Sequence, residues 1–335
     1  MILHPGILSL LIGTCIVVAM ILYASFLGIR IIRHWDINSA SMQQLELERK
    51  TYLISTVMNF VLGFELLSTF LFIYTVDAIH ETFVGAMCAT GSLNANPVGW
   101  YALYTKILIF FLASVWIGLN GVDQRAEDYP LTRIKYWMLL GIAPVVLVDG
   151  YLMLRYFLGL EPNRITSCCG SLFSESGAGV AASLASLPLV PSMVAFYLAI
   201  CAFLAVLVLC LRTSNPLPKY LAAILAVLVL LVSLGSMVSF ISLYFYELPT
   251  HHCPFDILQD HYHWIGYPVY FTLFTAVVFG LLIGVMQPFA GIKSLQPVIP
   301  GLQKKWARTA IGLTLLFTAI TTWPILFSDF SMVGY

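Results

Sequence analysis

The chain has 335 residues, of which 60% are hydrophobic and only 10% charged. Soluble domains carry about 25% charged residues, so a surface built from this composition cannot face water on all sides. With 16 basic against 16 acidic residues the formal net charge is zero, which excludes the basic footprint that a nucleic-acid partner requires.

A helix crossing a hydrocarbon core about 30 Å thick needs roughly 20 mainly apolar residues, each rising about 1.5 Å. Eight segments meet that requirement: 7–29, 52–76, 101–121, 136–158, 189–211, 220–245, 265–287 and 306–327. The expected fold is all-α, a polytopic transmembrane bundle of about eight spans in a single integral membrane domain over 1–335. The opening Met1-Ile2-Leu3-His4-Pro5 puts no basic residue before the first apolar run, so that run reads as a retained helix rather than a cleaved signal peptide. Ser41 followed by Gln44 is a capping-box pattern, which predicts that residues 39–51 extend the second helix beyond the membrane. The stretch 170–188, rich in Ser, Gly and Ala, reads as irregular or interfacial. Pro254 suits the first turn of a helix, which predicts that the seventh helix starts near 254 and kinks around Gly266 and Pro268.

Positive charge orients the spans. Thirteen of the 16 Lys and Arg residues lie beside alternate loops: Arg30, Arg33, Arg49 and Lys50; then Arg125, Arg133 and Lys135; then Arg212 and Lys219; then Lys293, Lys304, Lys305 and Arg308. Cytoplasmic loops retain such charge. Both termini are therefore expected on the extracytoplasmic side, together with the loops 77–100, 159–188 and 246–264. A multi-pass protein of a bacterial inner membrane fits this pattern.

Three of the seven cysteines, Cys15, Cys201 and Cys210, fall inside spans and read as small apolar packing residues. The other four, Cys88, Cys168, Cys169 and Cys253, fall in the three outer loops. In an oxidising compartment two disulfides are one expectation, with the adjacent Cys168 and Cys169 reaching to Cys88 and Cys253. Thiolates are also soft donors, and here they keep company with Met87, His251, His252, His261 and His263. That set suits copper or zinc, although no Cys-x2-Cys pair is present. On a helix starting at Pro254, the residues Asp256, Asp260 and His263 share one face and form a carboxylate–imidazole stripe beside the thiols. A third use of the same sulfurs is thiol–disulfide exchange.

Ionisable residues within a span are costly and default to a functional reading. Glu65 and Asp149 are such residues, and Lys106 and Arg155 enter the same half of the bilayer from the outer side. Interhelical ion pairs and a proton or cation path toward the thiols are the two readings. No span carries a histidine, so a transmembrane b-haem pair is not expected. Without a Walker A sequence no nucleotide is expected either.

Three functions follow. The first is handling of a soft metal ion, above all copper, at an extracytoplasmic Cys/Met/His site. The second is a membrane thiol–disulfide or electron-transfer component. The third is a non-catalytic subunit of a larger complex, its outer loops stapled by disulfides. The expected partners are the lipid bilayer, and a periplasmic metal or thiol carrier or other membrane subunits.

Overall fold

The computed structural model describes residues 2–36, 39, 41–166 and 180–332, without the side chains of residues 180 and 181. Among these residues no strand forms beyond an isolated parallel bridge between Val84 and Ile165. In chain order the helices are α1 (Pro5–His34), α2 (Met42–Ala78), α3 (Ala89–Asn94), α4 (Gly99–Asp123), α5 (Thr132–Leu158), α6 (Val180–Ala185), α7 (Leu189–Arg212), α8 (Leu217–Ser236), α9 (Ser242–Tyr246), α10 (Gly266–Val285) and α11 (Ile299–Phe327). A π-helical segment, Met237–Ile241, joins α8 to α9 without a break. Eight of the resulting stretches are long and apolar enough to cross a membrane, and each expected span falls within one of them, save that the seventh was expected one residue before its helix begins at Gly266.

Local chemistry sets the helix starts. Pro5 opens α1, where its missing N–H costs nothing, and His4 Nδ1 accepts the Gly6 N–H at 3.2 Å. Ser41 caps α2 as its spacing predicts, its Oγ accepting the Gln44 N–H at 3.2 Å. Gln44 does not close the reciprocal half of the box; its Oε1 accepts the Asp36 N–H at 3.1 Å and ties the linker down instead.

The helices expose large apolar side chains along much of their length. Phe26, Phe60, Leu108, Leu198, Leu231 and Leu315 are among them. Water tolerates only small apolar patches on a monomer, whereas helices whose backbone groups are satisfied internally present such surface to lipid. A lipid bilayer is the environment this surface fits.

The chain divides into two compact units. Unit 1 takes the chain up to Val76, Asn96–Pro162 and Phe289–Ile299; unit 2 takes Asp77–Ala95, Asn163–Pro288 and Pro300 onward. In unit 1, α5 packs on α1 and α4, around a core that includes Ile21, Met58, Leu62, Trp116, Tyr136 and Leu139. The α4–α5 turn is closed by Asp123, which accepts the Leu131 N–H at 2.7 Å and pairs with Lys135 at 2.7 Å. In unit 2, α8 packs on α7 and α10. Gly280 and Gly284 make the second contact close: a Cβ on Gly280 would lie 2.7 Å from the Ala226 Cβ, and one on Gly284 would lie 2.5 Å from the Ala223 Cβ. Small residues four apart on α10 and three apart on α8 let the backbones approach, which is how apolar helices gain packing energy where lipid removes the hydrophobic drive.

Candidate metal centre

The site lies in unit 2 and is built from two short segments. The first runs from the end of α2 to α3. Cys88 occupies the N-cap position of α3 in an extended conformation, and its side chain does not cap. Asp77 serves instead, its Oδ1 accepting the Ala89 N–H at 2.9 Å. This substitution releases the Cys88 sulfur to point elsewhere. The second segment follows α9. Glu247 adopts a left-handed conformation with φ of 54° and ends the helix. The chain then runs through His251, His252 and Cys253 into two 3-10 turns, Asp256–Leu258 and Asp260–Tyr262.

Several side chains clamp this second segment. Tyr246 donates its hydroxyl hydrogen to the Cys253 carbonyl at 2.5 Å and accepts the Ile257 N–H at 3.0 Å. Tyr270 donates to the Pro254 carbonyl at 2.7 Å. His252 Nδ1 lies 2.8 Å from the Val238 carbonyl in the π-helical segment. Gln259 Nε2 crosses to the first segment, donating to the Met87 carbonyl at 2.7 Å.

The two segments bring Cys88 Sγ within 3.4 Å of Cys253 Sγ. Sulfurs joined in a disulfide lie about 2.05 Å apart, so these two are not bonded to each other. Thr90 Oγ1 lies 3.5 Å from Cys253 Sγ, and the Phe255 N–H points to the same sulfur at 3.5 Å. Asp256 is the third member: one oxygen from it and the two sulfurs all lie within 4.8 Å of one another. Asp256 is only 7% exposed. Its Oδ2 pairs with His251 Nε2. Its Oδ1 is buried and has no hydrogen-bond partner among the described residues. A buried carboxylate oxygen without a donor is costly unless something else serves it. The group could hold a metal ion.

Negative charge is felt beside it. Burial, and then the charges of Asp256 and Cys253, push the Tyr262 phenol above its ordinary value. The Tyr262 ring packs on that of Tyr246 with centroids 4.8 Å apart, and Tyr246 in turn meets the His251 ring at 4.7 Å.

The residues singled out from sequence thus separate. Cys88 and Cys253 converge, with His251 behind Asp256. His252 is buried but turned to the Val238 carbonyl. Met87 contributes its carbonyl, and its side chain is 64% exposed. Cys168 and Cys169 lie outside the described residues.

The expected helix carrying Asp256, Asp260 and His263 on one face does not form. The chain is extended at Gln259 and left-handed at His263 and Trp264, with φ of 54° and 57°, and α10 begins only at Gly266. Asp260 is accordingly 82% exposed beside His261 Nδ1 at 3.6 Å, and His263 is exposed. Gly266 explains the late start: a Cβ there would meet the Ile257 carbonyl at 2.9 Å and Leu258 Cδ2 at 2.8 Å, so the 3-10 turn packs directly on the first residue of α10. Pro268 sits in the first turn of that helix, where its missing N–H breaks no ladder.

Sequence reading missed Asp77, Thr90, Tyr246 and Gln259. Only Asp77 carried a signal, as an acid at the end of an apolar span.

The intramembrane charges form a second cluster, in unit 1. Lys106 Nζ reaches Glu65 Oε2 at 2.8 Å and Asp149 Oδ2 at 2.9 Å, with all three side chains at most 1% exposed. Both carboxylates share the one lysine. Arg155, expected beside them, is exposed; it lies six residues beyond Asp149, near the end of α5.

No protein-family model, curated protein or solved structure gives a match to this chain.

Proposed function

We propose that this membrane protein binds a transition-metal ion through Cys88 Sγ, Cys253 Sγ and Asp256 Oδ1. The observation that carries the reading is the unserved Oδ1 beside two converging sulfurs. Metal–sulfur bonds of about 2.3 Å at tetrahedral angles set two sulfurs roughly 3.8 Å apart. The 3.4 Å separation requires only a small opening to reach that spacing. Three donors among the described residues leave a fourth position for water, substrate, another segment of the chain or a donor from a carrier protein.

The donor set also bears on which metal is bound. Two thiolates alone suit Cu(I), the ion that the Cys/Met/His composition favours, but a carboxylate is a hard donor. Two thiolates and a carboxylate suit Zn2+ better, and we place zinc before copper on that ground. His251, hydrogen-bonded to the other carboxylate oxygen, would orient the ligand from behind. With basic loops retained in the cytoplasm of a bacterial cell, the site faces the extracytoplasmic side, where a metal carrier could reach it.

The test is elemental analysis of the purified chain in detergent, after incubation with Zn2+ or Cu(I) under reducing conditions and removal of loose ion. About one zinc per chain, lost in Cys253→Ser and Asp256→Asn, supports the assignment. Retention of Cu(I) but not zinc, indifferent to Asp256→Asn, returns the site to copper. A metal-free chain whose outer cysteines resist alkylation until reduced moves the reading to thiol–disulfide chemistry.

A further inference from the structure

We propose that Glu65, Lys106 and Asp149 form a membrane-embedded site for one exchangeable proton, shared by the two carboxyl groups. The inference is independent of the metal centre and rests on charge count and donor geometry within unit 1.

The charge count is uneven. Fully ionised, two carboxylates and one ammonium leave one negative charge uncompensated among side chains at most 1% exposed. The other buried pair in this unit, Asp123 with Lys135, is one to one. Uncompensated charge inside a bilayer is strongly disfavoured, and intramembrane carboxyls are the usual carriers of relayed protons. Both carboxyls are held to the same ammonium, so either can carry the proton while the other keeps the lysine as its counter-charge. No other charged or titratable side chain on the packed helices supplies the balance. The α1 contact at this level is Thr14 and Val18 against Gly150. Cys15 on α1, Tyr101 and Tyr104 on α4, and Tyr151 and Arg155 on α5 are all exposed.

The donors are arranged so that the proton can come and go. Lys106 has three N–H groups, and three acceptors surround it: Glu65 Oε2, Asp149 Oδ2 and, at 3.1 Å, Ser68 Oγ. Each carboxyl has its own hydroxyl neighbour with a second acceptor at hand. Ser68 Oγ lies 3.0 Å from Glu65 Oε2 and equally 3.0 Å from the Glu65 backbone carbonyl. Thr105 Oγ1 lies 3.1 Å from Asp149 Oδ1 and 3.0 Å from the carbonyls of Tyr101 and Ala102. When the carboxyl is ionised the hydroxyl donates to it. When the carboxyl is protonated the hydroxyl turns its hydrogen to the helix carbonyl and accepts the new O–H. Both protonation states are thus satisfied by rotating a hydroxyl, with no displacement of a helix.

Infrared difference spectroscopy on the full chain in detergent tests this, comparing wild type with Glu65→Gln and Asp149→Asn at neutral pH and after exchange into heavy water. Wild type is expected to show a carboxylic-acid C=O band, shifted by the exchange, that both variants lack. Either amide leaves one carboxylate balanced by Lys106, so the need for a proton disappears in each. Ser68→Ala keeps every charge and is expected to keep the band at a changed frequency. Absence of the band in wild type from acid to alkaline pH, or its persistence in either folded variant, overturns the proposal. Should one amide variant fail to fold, the other decides alone.

Discussion

A graded series of substitutions at the candidate metal centre separates ligand, support and scaffold. In the proposed assignment Asp256 Oδ1 is the direct donor, whereas His251 pairs with Oδ2 and His252 is committed to the Val238 carbonyl. Loss of an outer-shell partner of a metal ligand typically costs about 10–100-fold in affinity. His251→Gln should therefore weaken Zn2+ by about that factor, and Asp256→Asn by more than about 100-fold, since it removes a ligand as well as its charge. Cys253→Ser should reduce binding at least as far. His252→Ala should leave affinity within about tenfold while costing roughly 1–3 kcal/mol of stability, because the Val238 carbonyl loses its buried donor. Competition with a chromophoric chelator gives the affinities, and a thermal melt of each apo variant gives the fold control. Asp256→Asn binding zinc like wild type, or His252→Ala abolishing binding in a folded protein, would refute the assignment of donors.

Three further outcomes follow from the geometry. Zinc should lower the pH at which Tyr262 ionises, because the Asp256 and Cys253 charges that hold its phenol up are neutralised while burial, the larger cause, remains. Tyrosinate absorbance that Tyr262→Phe removes reports the shift, and an upward or absent shift contradicts the site. Gly284→Leu should destabilise unit 2 by about 1–3 kcal/mol through overpacking against Ala223 and the Lys219 carbonyl. Denaturation in mixed micelles measures it, with Gly291→Leu, where a Cβ meets nothing within 4 Å, as the comparison. Lys106→Met should cost about 3–5 kcal/mol near neutral pH, by leaving the remaining buried carboxylate without its cation. The loss should shrink as pH falls, since protonated carboxyls are cheaper to bury than ionised ones. A pH-independent loss would mean that Lys106 acts through packing alone.

The eight spans were legible because the bilayer imposes a local rule: a run of apolar residues of sufficient length must satisfy its own backbone, and only a helix does so. The Ser41 cap was legible for the same reason, its partner lying three residues away. Residue chemistry also singled out Glu65, Lys106 and Asp149 as ionisable groups in apolar runs, and Cys88 and Cys253 as cysteines outside them. Sequence could not show that one lysine serves both carboxylates, since that depends on which faces α2, α4 and α5 turn to one another. Nor could it place Asp256 correctly. A helix from Pro254 is locally reasonable, but the chain instead turns left-handed at Glu247, His263 and Trp264, three non-glycine positions that carry no sequence signal for it. Long-range bonds hold the segment there, from Tyr246, Tyr270, His252 and Gln259. The sequence by itself determined a membrane bundle and the residue types at its chemical centres. Only the tertiary structure decided which sulfurs meet and which carboxylate joins them, because both depend on contacts between residues 165 and 172 positions apart in the chain.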